Sequence, residues 1–213
     1  MSPRRAVGIL AALLVGLLVA ALAVEDRLGR PVLTGWVSDL SDEQGFVRVL
    51  ERWPAIQEAA AREGLDPTLV GGVMWCESRG VSGRTSNAGA LGLMQLMMPS
   101  ARDAARRLEL PEPTPEEVLE DDDLNLRLGC EHLAWLVRSS PTWGAGPVLV
   151  AYNTGRGRTQ RWIDEAGSFE AWDEAQRARH RAGERPSPAW SYAQRVLGAR
   201  EELASRLGLL DVD

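Results

Sequence analysis

The sequence contains no lysine, so all 24 of its cationic side chains are arginines. Acidic residues are more numerous, at 30, and the formal net charge is −6. This balance argues against nucleic acid as the main partner, because phosphate backbones are bound by basic surfaces. Histidine and cysteine each occur only twice, and no histidine lies at ligand spacing from a cysteine, so we expect no metal site. Signals for β-strands are almost absent, which favours a mainly helical fold.

The N-terminus has the pattern of an export segment. Arg4 and Arg5 precede an uncharged apolar run over residues 6–24, which is about as long as a bilayer-spanning helix. The small residues at positions 21 and 23 also fit a cleavage site. Residues 1–24 are therefore interpreted as either a signal peptide or a transmembrane anchor. In both cases the positive-inside rule places everything after residue 25 outside the cytoplasm, in the periplasm or cell envelope.

Residues 25–40 mix charge, glycine and proline without a period, and we interpret them as a linker. From residue 41 to about residue 210 the helix start and stop signals indicate one helical domain. Pro54 opens a helix that stops at Gly64, and Asp66 followed by Pro67 opens the next as N-cap and first-turn proline. Later helices are predicted to start with a capping box at Thr114, to run over about 123–139, and to run from Pro188 to about Leu207.

Glu77 is one candidate for chemistry on local grounds, and the alternative is a solvated surface group, which is the commoner state of a glutamate near a helix end. It comes at the C-terminal end of a helix with an apolar face that includes Leu69, Val73 and Met74. Apolar neighbours and the negative helix end both disfavour ionisation, and this combination keeps a carboxylic acid protonated near neutral pH. A group in that state can serve as a general acid.

Two further segments contain polar groups between small residues. In the run from Ser86 to Gln95, glycines allow a ligand to approach the backbone, and the two end residues supply hydrogen bonds. Tyr152 and Asn153 stand at a predicted helix end, before the glycine turn at Gly155. Both segments are typical of the wall of a binding groove.

Four motifs occur in a fixed order over residues 54–165: Glu77-Ser78, the run 89–97 (GALGLMQLM), Asn125 with Leu128-Gly129, and Ala151-Tyr152-Asn153 with Gly155, Gly157, Arg158 and Trp162. Together they resemble the catalytic domain of the soluble lytic transglycosylases, relatives of goose-type lysozyme. The resemblance implies a lysozyme-like helical fold that cleaves the MurNAc–GlcNAc bond of peptidoglycan. It covers residues 167–186 poorly.

Carried over position by position, the resemblance implies that Glu77 is the catalytic acid and base. It also implies that the hydroxyl of Tyr152 bonds the Glu77 carboxyl. The other positions match substrate-binding residues of the family, namely Ser86, Gln95, Met97 and Asn153. The implied partners are glycan strands of peptidoglycan. We expect no cofactor, membrane contact through the N-terminal segment alone, and a monomer.

The reaction that we expect follows from the lack of a second carboxylate in the segment after Glu77. Ordinary glycosidases use two carboxylates, but no Asp or Glu lies between Arg79 and Arg102. A single-acid mechanism that ends in a 1,6-anhydro sugar fits this pattern. Two alternatives stay open: a hydrolytic muramidase in which a distant carboxylate such as Asp103 folds into the site, and a wall-binding module without turnover.

Cys76 and Cys130 are open to two interpretations. Export would allow a disulfide, and in the family's fold the helices that carry the two cysteines should pack together. Such a bridge would brace the Glu77 helix end. The alternative is two small buried thiols.

Overall fold

The structure is a computed structural model that describes residues 32–209. The chain divides into two compact units after Gln44. The described part of the first unit is the start of helix α1 (Val32–Glu51). Residues 32–40 are thus helical, although the sequence predicts a linker over 25–40. They contain no proline, and the single Gly35 lowers helix stability by only about 1 kcal/mol. The predicted leader or anchor, residues 1–24, lies outside the described residues.

Helix α1 ends in the second unit, where nine more helices follow within the described residues. They are α2 (Trp53–Glu63), α3 (Pro67–Ser78), α4 (Met98–Arg107), α5 (Pro115–Glu120), α6 (Asp122–Arg138), α7 (Ala145–Thr154), α8 (Arg156–Ala166), α9 (Phe169–Arg181) and α10 (Pro188–Arg206). The β-type pairing within this range is limited to two isolated bridges, from Leu91 to Thr85 and to Leu96. The mainly helical fold is confirmed. None of the described helices has both the length and the apolar character needed to cross a membrane.

Local capping explains where several helices begin and end. Gly64 ends α2 in the left-handed conformation, with φ at 66°. The Asp66 carboxylate accepts a hydrogen bond from the Thr68 backbone N–H at 2.8 Å, and this caps α3. Thr114 and Glu117 form the reciprocal capping box of α5. The start and stop signals in the sequence are therefore confirmed, because caps depend only on residues within one turn.

Helix α9 fills the segment that the family motifs cover poorly. Two of its arginines form surface ion pairs with acids on the same helix, Arg177 with Asp173 at 2.7 Å and Arg181 with Glu174 at 2.6 Å. Trp190 of α10 donates a hydrogen bond from its indole N–H to Asp173 at 2.7 Å. Helix α9 is therefore fixed to the start of α10, and its basic residues lie on a solvated face.

The packing of α10 against α3 positions the functional groups. Gly72 permits a close approach, because a Cβ at this position would lie 2.8 Å from the Val196 carbonyl oxygen. The guanidinium of Arg200 contacts the Asp66 carboxylate at the start of α3, with Nε 2.8 Å from Oδ2. The start of α3 thus lies beside the later part of α10, so the two helices run antiparallel. This register brings the end of α3 beside the first turns of α10.

Candidate active site

Glu77 lies in the last turn of α3, one residue before the helix ends. Most of this helix is buried, whereas Glu77 itself is half-buried. Arg79 follows in the left-handed conformation, with φ at 56°, and turns the chain away from the helix axis. The carboxyl group therefore sits where an apolar helix opens into a loop.

The environment of Glu77 favours its neutral form. Burial raises the pKa of the carboxyl from 4.5 to about 7, while a hydrogen bond from Tyr192 and the positive charge of Arg195 act in the opposite direction. Desolvation dominates because a carboxylate loses far more hydration energy than a neutral acid when it leaves water. Glu77 therefore exchanges its proton near neutral pH, as a group that acts first as an acid and then as a base requires.

Tyr192 is the partner of the catalytic candidate. Its hydroxyl donates a hydrogen bond to Oε1 of Glu77 at 2.7 Å. Tyr192 lies near the start of α10 and is 3% exposed. Sequence reasoning missed this residue, because the motifs that carry the family resemblance end at Trp162. One signal was available, since Tyr192 is the second of only two tyrosines in the chain.

The prediction that Tyr152 bonds the Glu77 carboxyl is corrected by this geometry. The Tyr152 hydroxyl donates instead to the backbone carbonyl of Met94 at 2.9 Å. Its ring also contacts the His132 ring, with centroids 5.4 Å apart. Tyr152 remains close enough to Glu77 that, after burial, the Glu77 charge contributes to raising the pKa of the phenol well above 10.0. The role of Tyr152 is therefore to hold the loop that contains Met94.

Residues 79–97, called here the glycine-rich loop, fold back on themselves after Glu77. Ser86 accepts a hydrogen bond at Oγ from the Ala90 backbone N–H at 3.0 Å. The Gln95 side-chain amide donates to the carbonyls of Arg84 and Gly92, at 3.0 and 2.9 Å. The two predicted sugar-binding polar groups thus help to set the shape of the loop.

Asn125 of α6 fixes this loop from beneath. Its amide oxygen accepts from the Met94 N–H at 2.8 Å, and its amide nitrogen donates to the carbonyls of Leu91 and Val118, at 2.9 and 2.8 Å. The side chain is fully buried. Contact is so close at Gly92 that a Cβ there would lie 2.2 Å from the Asn125 amide nitrogen. Asn125 therefore fixes the distance between the glycine-rich loop and helix α6.

The other predicted site residues differ in their exposure. Met97 is 45% exposed and precedes α4. Asn153 is exposed near the end of α7. Ser78, by contrast, is buried, and its hydroxyl donates to the Met74 carbonyl at 3.2 Å. Met97 and Asn153 are accessible to a ligand, whereas Ser78 is a helix-end residue turned inward.

Other carboxylates in this part of the protein are engaged elsewhere. Asp103 lies on α4, where its half-exposed side chain pairs with Arg106. Glu131 is buried and accepts hydrogen bonds from Arg107 at 2.6 Å and from Arg138 at 2.7 Å. Among the described residues, no group of three or more His, Cys, Asp and Glu side chains is arranged to hold a metal ion.

Both cysteines are free thiols in the described chain. Burial raises the pKa of each thiol to about 12. The charges that act on Cys76 include Arg195 of α10, whereas Glu63 of α2 acts on Cys130. Helix α3 packs mainly on α10 and α2, while α6 packs on α2, α4, α5 and α7. Helices α3 and α6 therefore pack chiefly against other helices, whereas the resemblance led us to expect that they pack on each other.

Comparison with known proteins gives matches that agree with one another. A model of the transglycosylase SLT domain matches residues 54–175. An endo-type membrane-bound lytic murein transglycosylase A of Klebsiella pneumoniae is 30% identical over 141 residues, which cover 58% of this chain and 68% of that protein. A transglycosylase of Enterobacteria phage PRD1 is 49% identical over 53 residues, which are 25% of this chain and 20% of the phage protein.

Two solved structures are similar in fold. An inactive variant of the lytic transglycosylase Slt from Pseudomonas aeruginosa gives a TM-score of 0.62 at 25% identity, over 73% of this chain and 24% of that one. The 70 kDa soluble lytic transglycosylase of Escherichia coli gives 0.61 at 19% identity, over 75% and 26%. The chain thus spans about a quarter of each of these enzymes and a fifth of the phage protein. Because the domain model covers more than half of the sequence, the chain belongs to the transglycosylase SLT domain family.

Proposed function

We propose that this protein is a peptidoglycan lytic transglycosylase. It cleaves the β-1,4 bond between MurNAc and GlcNAc and leaves a 1,6-anhydroMurNAc end. The observation that carries the proposal is Glu77, a desolvated carboxyl with a pKa of about 7 that accepts a hydrogen bond from a buried tyrosine at the base of the glycine-rich loop. Family membership supports the same chemistry.

In the first step the neutral Glu77 carboxyl donates its proton to the glycosidic oxygen as the bond from C1 to that oxygen breaks. The N-acetyl carbonyl of the same MurNAc stabilises the positive charge at C1. In the second step the Glu77 carboxylate accepts the proton of the C6 hydroxyl, and O6 bonds to C1. Glu77 is thereby returned to its acid form, and no water is consumed.

A single carboxyl is enough for both proton transfers. The nearest acids along the chain after Glu77 begin at Asp103, which is paired with Arg106 on the surface of α4. Hydrolysis with a second carboxylate as base or nucleophile would need that group roughly 5–10 Å from Glu77. The charged group that acts on Glu77 is instead the cation Arg195.

We assign the surrounding residues to the substrate groove on the same basis. Met97 and Asn153 are exposed and are proposed to contact the sugar directly. Ser86 and Gln95 are proposed to act through the loop that they close. Asn125 and Tyr152 hold that loop in place through hydrogen bonds to its backbone.

The test uses purified full-length chain and peptidoglycan sacculi, with mass spectrometry of the released muropeptides. The expected product ends are anhydro ends, and Glu77→Gln abolishes release. Glu58→Gln is the matched control, because Glu58 is an exposed glutamate paired with Arg62 on α2. Reducing ends heavier by one water would identify a hydrolytic muramidase. Equal release by the wild type and Glu77→Gln would remove Glu77 from the mechanism, and no release with retained sacculus binding would indicate a wall-binding module.

We also propose that the domain acts outside the cytoplasm, where its substrate is found. The export pattern of residues 1–24 supports this placement. N-terminal sequencing of the mature protein separates a cleaved leader, which gives a new N-terminus near residue 24, from a retained anchor, which leaves Met1 in the membrane fraction. Recovery of intact protein in the cytosol alone would contradict the proposal.

A further inference from the structure

Arg195 is a charged group at the site to which neither the family motifs nor the mechanism above assigns a role. It follows Tyr192 by three residues on α10, so the two side chains share a face of the helix. The antiparallel packing of α10 on α3, set at Gly72 and Asp66, places this face beside the end of α3. Tyr192 confirms the register, since its hydroxyl reaches Glu77 at 2.7 Å.

The neighbours of Arg195 are the two residues at that helix end. Its positive charge acts on Glu77 and on the adjacent Cys76, in each case against the larger effect of burial on the pKa. The other α10 arginines are engaged with acids away from the site, Arg200 with Asp66 and Arg206 with Glu202. Within the described residues, no ion pair with a surface carboxylate engages Arg195, and its side chain is exposed.

The groups that face Glu77 can be named from each element around it. Tyr192 and Arg195 approach from α10, Cys76 precedes it on α3, and the Tyr152 phenol on α7 is close enough to be affected by its charge. A further cation, Arg84 of the glycine-rich loop, donates to the Ser78 carbonyl at 3.4 Å, and Arg195 is the cation whose charge acts on Glu77. The proposed reaction leaves Glu77 negatively charged between its two proton transfers. A cation near the carboxyl group stabilises this charged form.

We propose that Arg195 is a positioning residue that stabilises the carboxylate form of Glu77 between the two proton transfers, so that Glu77 can accept the C6 hydroxyl proton. Burial alone would hold the carboxyl in its acid form. The positive charge of Arg195 shifts the protonation equilibrium of Glu77 back towards the carboxylate, and the side chain does not contact the sugar. This inference rests on the proposed function, since it assigns a role within the same reaction.

The test is the pH dependence of kcat/KM for release of anhydromuropeptides from sacculi. Activity falls as pH rises and Glu77 loses its proton, so this basic limb reports Glu77 in the free enzyme. Arg195→Gln is expected to move the midpoint of the limb to higher pH, by about half a pH unit or more. Arg195→Lys keeps the charge and is expected to restore the wild-type midpoint. Arg62→Gln, which makes the same charge change on the exposed face of α2, should leave the midpoint in place.

Salt gives a second measurement, which is made on the wild type and repeated on Arg195→Gln as its control. Arg195 is exposed, so raised ionic strength should screen its charge and move the wild-type limb towards that of Arg195→Gln. The limb of Arg195→Gln itself should then not move. A limb unchanged by both the substitution and salt would overturn the proposal. A higher KM with an unchanged limb would also overturn it and would assign Arg195 to binding a substrate carboxylate.

Failure of this inference is distinguishable from failure of the proposed function. If Glu77→Gln is inactive and Arg195→Gln keeps the wild-type limb, the lytic transglycosylase assignment stands and the role of Arg195 is refuted. If Glu77→Gln retains full activity, the proposed mechanism itself is refuted.

Discussion

Replacing Glu77 by glutamine should make the protein more stable at alkaline pH. The folded state raises the pKa of this carboxyl from 4.5 to about 7. A group whose pKa is raised on folding binds its proton more tightly in the native state. Its contribution is therefore favourable below pH 4.5 and is lost as pH rises through about 7. At about 1.4 kcal/mol per pH unit, the full loss is about 3 kcal/mol.

Glu77→Gln removes the ionisation and keeps an oxygen that can accept the Tyr192 hydrogen bond. Above pH 8 we expect the variant to be more stable than the wild type by up to about 3 kcal/mol. Below about pH 4.5 the advantage should disappear, because the wild-type carboxyl is then neutral in both states. The same substitution that abolishes activity is thus expected to stabilise the fold.

The assay is urea unfolding at several pH values, followed by the fluorescence of the eight tryptophans. Glu58→Gln is again the control, since its exposed pair with Arg62 contributes at most about 0.5 kcal/mol. The reasoning is refuted if the free-energy difference between Glu77→Gln and the wild type is the same at pH 5 and pH 8. That result would mean that the carboxyl is well solvated in the native protein.

Three further outcomes are expected. Tyr192→Phe removes a hydrogen bond that lowers the pKa of Glu77, so the basic limb of kcat/KM should move to higher pH. Tyr152→Phe should affect stability more than it affects this limb. Equal shifts of the limb in the two variants would contradict the geometry. Asn125→Ala removes the side-chain partner of the Met94 N–H and of the Val118 carbonyl inside the protein, while the Leu91 carbonyl keeps its bond from the Leu96 N–H, and unfolding measurements should show a loss of at least about 2 kcal/mol. Thiol counting on the denatured, unreduced protein should find both cysteines free, and a count of zero would show that a bridge forms.

The order and ends of many helices could be predicted because their signals are local. Asp66 caps α3 through a residue two positions away, and Thr114 caps α5 through one three positions away. The place of Glu77 at the end of an apolar helix follows from the same local signals. Its assignment as the catalytic candidate rests on this position together with the order of the motifs.

The partner of Glu77 could not be predicted in this way. Tyr192 is 115 positions away in the chain, and its contact depends on how closely α10 packs on α3 at Gly72. Both tyrosines are compatible with the sequence pattern, but only the helix register decides which hydroxyl reaches the carboxyl. The hydrogen bonds by which Asn125 holds the glycine-rich loop also depend on tertiary contact, since its three bonds reach backbone groups in two other segments.

The sequence by itself determined the helical class, most of the helix starts, and the position of one acid at a helix end, because these depend on caps and periodicity within a few residues. The tertiary structure alone decided which tyrosine bonds that acid, that the charge of Arg195 acts on it, and which helices pack against those that contain the two cysteines. These features depend on distances between helices, which are set by side-chain packing across the whole core.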